Sequence, residues 1–353
     1  MRRVWLGLLR NSAVMALVLW VVPAAIASPF GSGFEAVEKP LPRGLYHSAG
    51  PTRVGAPAAL SSAASESPLV HGTLVRIAWS TLQAAPGVFD FTLLDREFGL
   101  AETLQTQISL GVLDAWNQPA WLLDECESFE FTFQSNLVQA CLPWDAHYLA
   151  RKQELLNALG ERYAHHPNLG LVYMTYAAMT NGIEMHWRVD EAAFTAAGYT
   201  AERLQSTYRS VFDMHVAAFP GIPIAMEVHE VFDSGALAVA AYQHCHDRLG
   251  SRCGVALWWC ASRLTRPPNG ESEVWAVAAD AFARSFVTCQ TVGNFTNQPD
   301  RFDEGAGWTP LQALQNEMNF MYNAGVTHWE LWSVDITNPE FQPELTDYAN
   351  RLE

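Results

Sequence analysis

The sequence predicts an α/β fold, a single (β/α)8 (TIM) barrel, from two observations. Strand-like apolar runs alternate with helix-like amphipathic runs at roughly even spacing, the pattern of βα units around a parallel sheet. Eight such strands can be counted in 353 residues, which fits one barrel of about 250 residues plus insertions. No internal repeat, low-complexity tract or inter-domain linker interrupts them.

In chain order, residues 28–40 are rich in Pro and Gly and read as an extended lead-in. Strands are expected at Gly44–Ser48, Leu74–Trp79, Gln107–Val112, Leu169–Tyr173, Pro223–Val228, Val255–Trp259, Ser285–Gln290 and His328–Trp332. Helices are expected at Leu93–Leu104, Asp145–Tyr163, Ala201–Phe219, Gly235–Arg248, Ser272–Arg284 and Leu311–Ala324. The connection from Ser48 to Leu74 is rich in Ala, Ser and Pro, and defines its helix poorly. In a barrel of this kind function sits where strands end and βα loops begin, so those positions are the ones to weigh.

The N-terminus carries Arg2, Arg3 and Arg10, then an apolar run from Ala13 to Ile26 and the small-residue exit Ala25-Ile26-Ala27. That is the layout of a secretory signal peptide over 1–27, leaving 28–353 as the barrel domain. Pro23 and the short run argue against a full span of roughly 20 apolar residues. Cleavage would remove three Arg and no acid, moving the formal charge from −16 to −19. An acidic, exported chain of this kind is a poor binder of nucleic acid or anionic membranes, and the expected location is secreted or periplasmic. Its oligomeric state is not written in the sequence.

Six cysteines in an exported chain favour disulfides. The short spacings suggest Cys126 with Cys141 and Cys245 with Cys253. Cys260 and Cys289 remain, at the ends of neighbouring strands. No spacing matches a zinc site, and no metal or cofactor is expected.

The run Leu74-Val-Arg-Ile-Ala-Trp-Ser-Thr-Leu-Gln-Ala-Ala-Pro-Gly-Val-Phe-Asp-Phe-Thr-Leu-Leu-Asp95 reads as a buried strand ending in an aromatic, a Pro-Gly turn and a helix opening. It resembles the second βα unit of the clan A glycoside hydrolases, with Arg on the strand, Trp at its end and a Pro-Gly-x-Phe-Asp-Phe-x-x-Leu-Asp continuation. The resemblance implies a sugar-cleaving barrel with a Glu acid/base after the fourth strand and a Glu nucleophile at the end of the seventh. After the fourth strand the chain reads Met179-Thr-Asn-Gly-Ile-Glu-Met-His-Trp187. The adjacent Asn-Glu pair of the clan is absent, but Asn181 and Glu184 resemble a displaced version, with Glu184 as acid. A Glu beside Met185 and Trp187 would be partly desolvated, raising its pKa toward that of a working acid. The bland reading is a loop carboxylate pairing with Arg188.

At the end of the seventh strand stands Gln290, which has the shape of Glu but cannot ionise to attack an anomeric carbon. It can still hydrogen-bond a sugar. Glu330 and Glu227 are the carboxylates able to stand in. Glu330 shares a strand face with His328 and Trp332 by period two, and Glu227 ends the fifth strand. A charged residue among apolar strand neighbours points into the barrel, as catalyst or in a network with Arg76. Carboxyl groups about 5–5.5 Å apart support a covalent intermediate, and about 6.5–9.5 Å leaves room for an inverting water. Strands four and eight lie opposite each other, so Glu184 with Glu330 suggests the wider spacing, while Glu184 with Glu227 on adjacent strands could be closer; the sequence does not choose between them.

The 13 Trp residues include Trp79, Trp116, Trp121, Trp187, Trp259 and Trp332 at or just past expected strand ends. Indole planes pack on the apolar faces of pyranose rings. Arg76, Trp79, Trp116, Asn181, Trp187, Gln290, Trp332 and Asp335 are therefore the expected substrate contacts, with His47 and Asp114 as weaker hydroxyl ligands. The reading is an exported glycoside hydrolase acting on an oligo- or polysaccharide. The alternative, suggested by Gln290, is a carbohydrate-binding barrel that has lost catalysis.

Overall fold

The computed structural model of the protein describes residues 38–133, 135–178, 180–187, 189–265 and 272–352. The export signal expected over 1–27 and Arg188 lie outside the described residues. Eight parallel strands close into a barrel: β1 (Gly44–Ser48), β2 (Val70–Ala78), β3 (Gln107–Leu113), β4 (Leu169–Tyr173), β5 (Ile224–Glu227), β6 (Cys253–Cys260), β7 (Phe286–Thr291) and β8 (His328–Leu331). Each strand pairs with its neighbour in sequence, and β8 closes on β1 through Gly44 opposite His328.

Among the described residues seven long helices follow β2 to β8 in turn: α1 (Thr92–Leu104), α2 (Ala146–Tyr163), α3 (Ala201–Ala218), α4 (Ala236–Leu249), α5 (Glu273–Arg284), α6 (Pro310–Ala324) and α7 (Gln342–Leu352). Their starts carry local signals, such as the Asp145 carboxylate accepting from the backbone of His147 and Tyr148, and a capping box at Thr309 and Gln312 before Pro310. Where the Ser48–Leu74 connection left its helix undefined, a single 3₁₀ turn at Ala59–Ser61 fills the place. The buried Glu97 of α1 accepts from the backbone N–H groups of Ala59 and Leu60, which substitutes for helix hydrogen bonds there.

Two features absent from the sequence reading are a short hairpin after β2 (Gln83–Ala85 with Val88–Phe89) and a longer one after β3 (Ser128–Phe133 with Asn136–Cys141). The Cys126–Cys141 bridge closes the longer hairpin at its base. Cys245–Cys253 ties the end of α4 to the start of β6, and Cys260–Cys289 joins the ends of β6 and β7, so all three expected pairs form.

Side chains alternate across each strand. Leu74, Leu171, Ala225, Ala256 and Phe286 fill the barrel interior, while residues such as Val75, Ile77, Val255 and Val287 pack outward against the helices. The interior is apolar at half height and turns polar at the C-terminal strand ends.

Candidate active site

The polar layer is built by one inward residue from each of several strands. Glu330 on β8 is fully buried and accepts from the Tyr173 hydroxyl at 2.5 Å, a bond that spans the barrel to β4. Gln290, its register partner on β7, donates to the other oxygen at 3.2 Å and to Ser48 of β1 at 3.0 Å. Arg76 of β2 lies across the barrel with its guanidinium 5.7 Å from the Trp258 ring, and donates to the Ala49 carbonyl. Burial pushes the Glu330 carboxyl up to about 7, against the Tyr173 hydrogen bond, the Arg76 charge and the Gln290 amide. The same carboxylate, after burial, pushes the Tyr173 phenol well above its ordinary range, so Tyr173 stays a neutral donor.

Glu184 comes from the loop after β4. Asn181 folds that loop locally: its amide oxygen accepts from the backbone of Ile183 and Glu184, and its amide nitrogen donates to the Glu184 carboxylate at 2.8 Å. Gly182 sits at φ +82, and a Cβ there would lie 2.4 Å from Asp114 Cβ, so no other residue fits this approach to β3. Ile183 then enters the barrel interior over Gly111. The result leaves Glu184 half-buried at the mouth, where its charge acts on both Arg76 and His229.

Glu227, at the end of β5, is fully buried. One oxygen accepts from the Met185 backbone N–H at 2.6 Å, and His229 Nδ1 lies 2.5 Å from the other in an ion contact whose alignment is poor for a hydrogen bond. Burial opposes charge on His229, yet Glu227, with Glu184 and Glu230 behind it, holds the imidazole pKa above its ordinary value.

The remaining expected contacts divide. Trp116 is 42% exposed at the mouth, its ring 5.9 Å from Phe133 of the long hairpin, and Trp332 is half-buried and donates to the Thr291 carbonyl. Trp79 faces the helices instead: it follows the inward Ala78, is fully buried against Tyr148 and donates to Gln83. Trp187 is buried against Tyr176 and Phe194. Both rings therefore serve packing, and a sugar face cannot reach them in this arrangement. Trp121 stacks under Arg151, and Trp259 is half-buried beside His229.

Asp335 accepts from the backbone of Phe295 and Thr296 and from the Thr296 hydroxyl, fixing the loop after β7. His47 is held between Ser65 and Ser333, its pKa lowered to about 4 by burial and by Arg76. Asp114 lies beneath the loops, accepting from Tyr148 and from the fully buried Lys152 at 2.8 Å. Among the described residues no group of His, Cys, Asp and Glu is arranged to hold a metal ion.

Ser48, Tyr173, Trp258 and His229 belong to this site and were not singled out from sequence. Tyr173 and Trp258 look like ordinary apolar strand residues there. His229 follows Glu227 by two, which is the signal that would have found it. A cavity of about 730 Å³, lined by Lys39, Tyr46, His71 and Gln107, opens at the N-terminal strand ends, the face where barrels carry stability rather than chemistry.

The profile of the Glyco_hydro_42 family, described as beta-galactosidase, matches residues 65–224, from the β1–β2 connection to the start of β5. The catalytic domain of beta-amylase from Paenibacillus polymyxa superposes with TM-score 0.54 at 10% identity, covering 89% of this chain and 100% of that one. Over residues 65–224 the chain is similar to this glycoside hydrolase family, and its barrel shares the fold of the amylase domain. Endo-glycoceramidase II from Rhodococcus sp. (TM-score 0.49, 14% identity, 85% and 75% covered) and xylanase B from Clostridium stercorarium F9 (0.48, 12%, 82% and 85%) are similar to it more distantly. A comparison with curated protein sequences returns no match. The family match and the closed barrel together support a glycosyl hydrolase, in which an amide, Gln290, occupies the strand-seven seat and braces the carboxylate of strand eight.

Proposed function

We propose that this glycoside hydrolase is exported and cleaves glycosidic bonds of an oligo- or polysaccharide with Glu184 and Glu330, without a cofactor. The pairing is supported by Arg76, on whose buried guanidinium the charges of both Glu330 and Glu184 act. Glu184, half-buried at the mouth, gives its proton to the leaving glycosidic oxygen. Water attacks the anomeric carbon and passes a proton to ionised Glu330. Position on opposing strands favours the wider separation and inversion. Trp116 and Trp332 offer ring faces to sugar, and three disulfides suit an oxidising destination.

A carbohydrate-binding barrel without turnover is the second reading, favoured by Gln290 and by protein donors already occupying both Glu330 oxygens. The deciding experiment is release of reducing sugar by the disulfide-intact protein across polysaccharides and aryl glycosides, beside Glu184→Gln. Turnover that disappears in the variant with binding retained supports the hydrolase. Saturable glycan binding without turnover, unchanged by Glu184→Gln, supports the binder.

A further inference from the structure

We infer that Glu227 and His229 form a positioning pair that sets Glu184 through the Met185 backbone N–H, rather than a second catalytic carboxylate with a bystander histidine. Both Glu227 oxygens are engaged within the protein, one by Met185 and one by His229, and the side chain has no exposed surface. Glu330 is bonded by side chains of other strands, whereas Glu227 is bonded by the backbone N–H of the residue next to Glu184, which is a positioning contact. Met185 follows Glu184 directly, so fixing its N–H fixes the peptide plane from which the acid projects. Asn181 holds Glu184 from the preceding side, and Glu227 holds it from the following side.

His229 is what keeps Glu227 in place. Left alone, a buried carboxylate would take up a proton or swing toward water. The imidazole lies 4.6 Å from the His186 ring and 6.0 Å from the Trp259 ring, with Nδ1 2.5 Å from a Glu227 oxygen. The titratable groups facing it are Glu227 from β5, Glu184 and His186 from the β4 loop, and Glu230 from its own loop; the β6 ring beside it is the neutral Trp259. Three carboxylates around one imidazole favour its cationic form, which completes the clamp.

This inference rests on Glu184 being the acid, and the test separates the two. Glu227→Gln, His229→Asn and the double variant are compared by kcat, KM and the NMR shift of the Met185 amide proton. A misplaced acid of the order of 1 Å costs roughly 10- to 100-fold, so each single variant should lose that much in kcat with KM nearly unchanged. The double variant should lose no more than the worse single one, since the residues act as a unit. The Met185 amide should move upfield in each, and in the wild type it should shift as pH rises through the His229 transition.

Losses that multiply in the double variant, or a Met185 amide unmoved by His229→Asn, overturn the pair. Turnover of Glu227→Ala restored by azide also overturns it, because that marks an attacking carboxylate. A wild type without turnover removes the hydrolase reading, while the Met185 amide still decides the clamp. If His229→Asn does not fold, His229→Gln is read by the same amide.

Discussion

Glu330 and Glu184 both act electrostatically on Arg76 but are held by opposite means. Glu330 is carried by a strand, fully buried, and held by partners 40 and 157 residues away in sequence. Glu184 is carried by a loop, half-buried, and held by Asn181 three residues before it. A strand seat gives a carboxylate a rigid place and a pKa lifted by desolvation. A loop seat gives it reach, at the cost of needing separate clamps such as Asn181 and Glu227. Under the proposed roles, the division suits a fixed base below and an acid that must meet a leaving oxygen.

Removing the loop carboxylate breaks the comparison most severely. Glu184→Gln should lower kcat by about 10²- to 10⁴-fold with sugar affinity retained, measured by turnover and by tryptophan fluorescence titration. Equal loss of affinity would place Glu184 in binding instead. Beneath both loops, Lys152→Met strands the buried Asp114 carboxylate, and should destabilise the fold by about 3–5 kcal/mol in urea unfolding. A change under 1 kcal/mol would show that water already reaches this pair.

The strand carboxylate is tested by pH. With Glu330 lifted to about 7, kcat/KM should rise as pH climbs through that value, because only the ionised carboxylate can accept a proton. Tyr173→Phe removes a donor that favours the ionised form, and should move this limb up by about one unit. For stability the sign reverses relative to a paired surface carboxylate: Glu330's contribution is complete below its ordinary 4.5 and is lost as pH rises through about 7. A limb that stays put in Tyr173→Phe would assign it to another group. The smallest effect belongs to the rim. Trp116→Ala should weaken polysaccharide binding by about 1 kcal/mol, roughly fivefold in Kd, with short aryl glycosides unaffected.

Much of the barrel could be read from the chain because each βα unit carries its own signals. Leu169–Tyr173 appears with the bounds expected, and Thr309 with Pro310 announces α6. The hairpins escaped because Ser128–Cys141 folds on its own ladder and the Cys126–Cys141 bridge, without alternation strong enough to stand out among loop residues. At the site, period two gave the inward direction of Glu330. It could not show that Gln290 would brace Glu330, since that bond depends on the β7–β8 register. Trp79 misled for a local reason: one residue past the inward Ala78, the indole turns outward to the helices. His229 stayed hidden because its meaning comes from Glu227 and from a loop forty residues earlier.

The Cys126–Cys141 bridge also determines how the long hairpin behaves when cut. Its tip, with Ser135 at φ +67 and Leu137 72% exposed, is the most accessible part of the insertion and an open target for proteases. A single nick there leaves both halves covalently joined at the hairpin's base. The clipped protein would migrate as one band on a non-reducing gel and as two after reduction, with Phe129 still seated against Phe194.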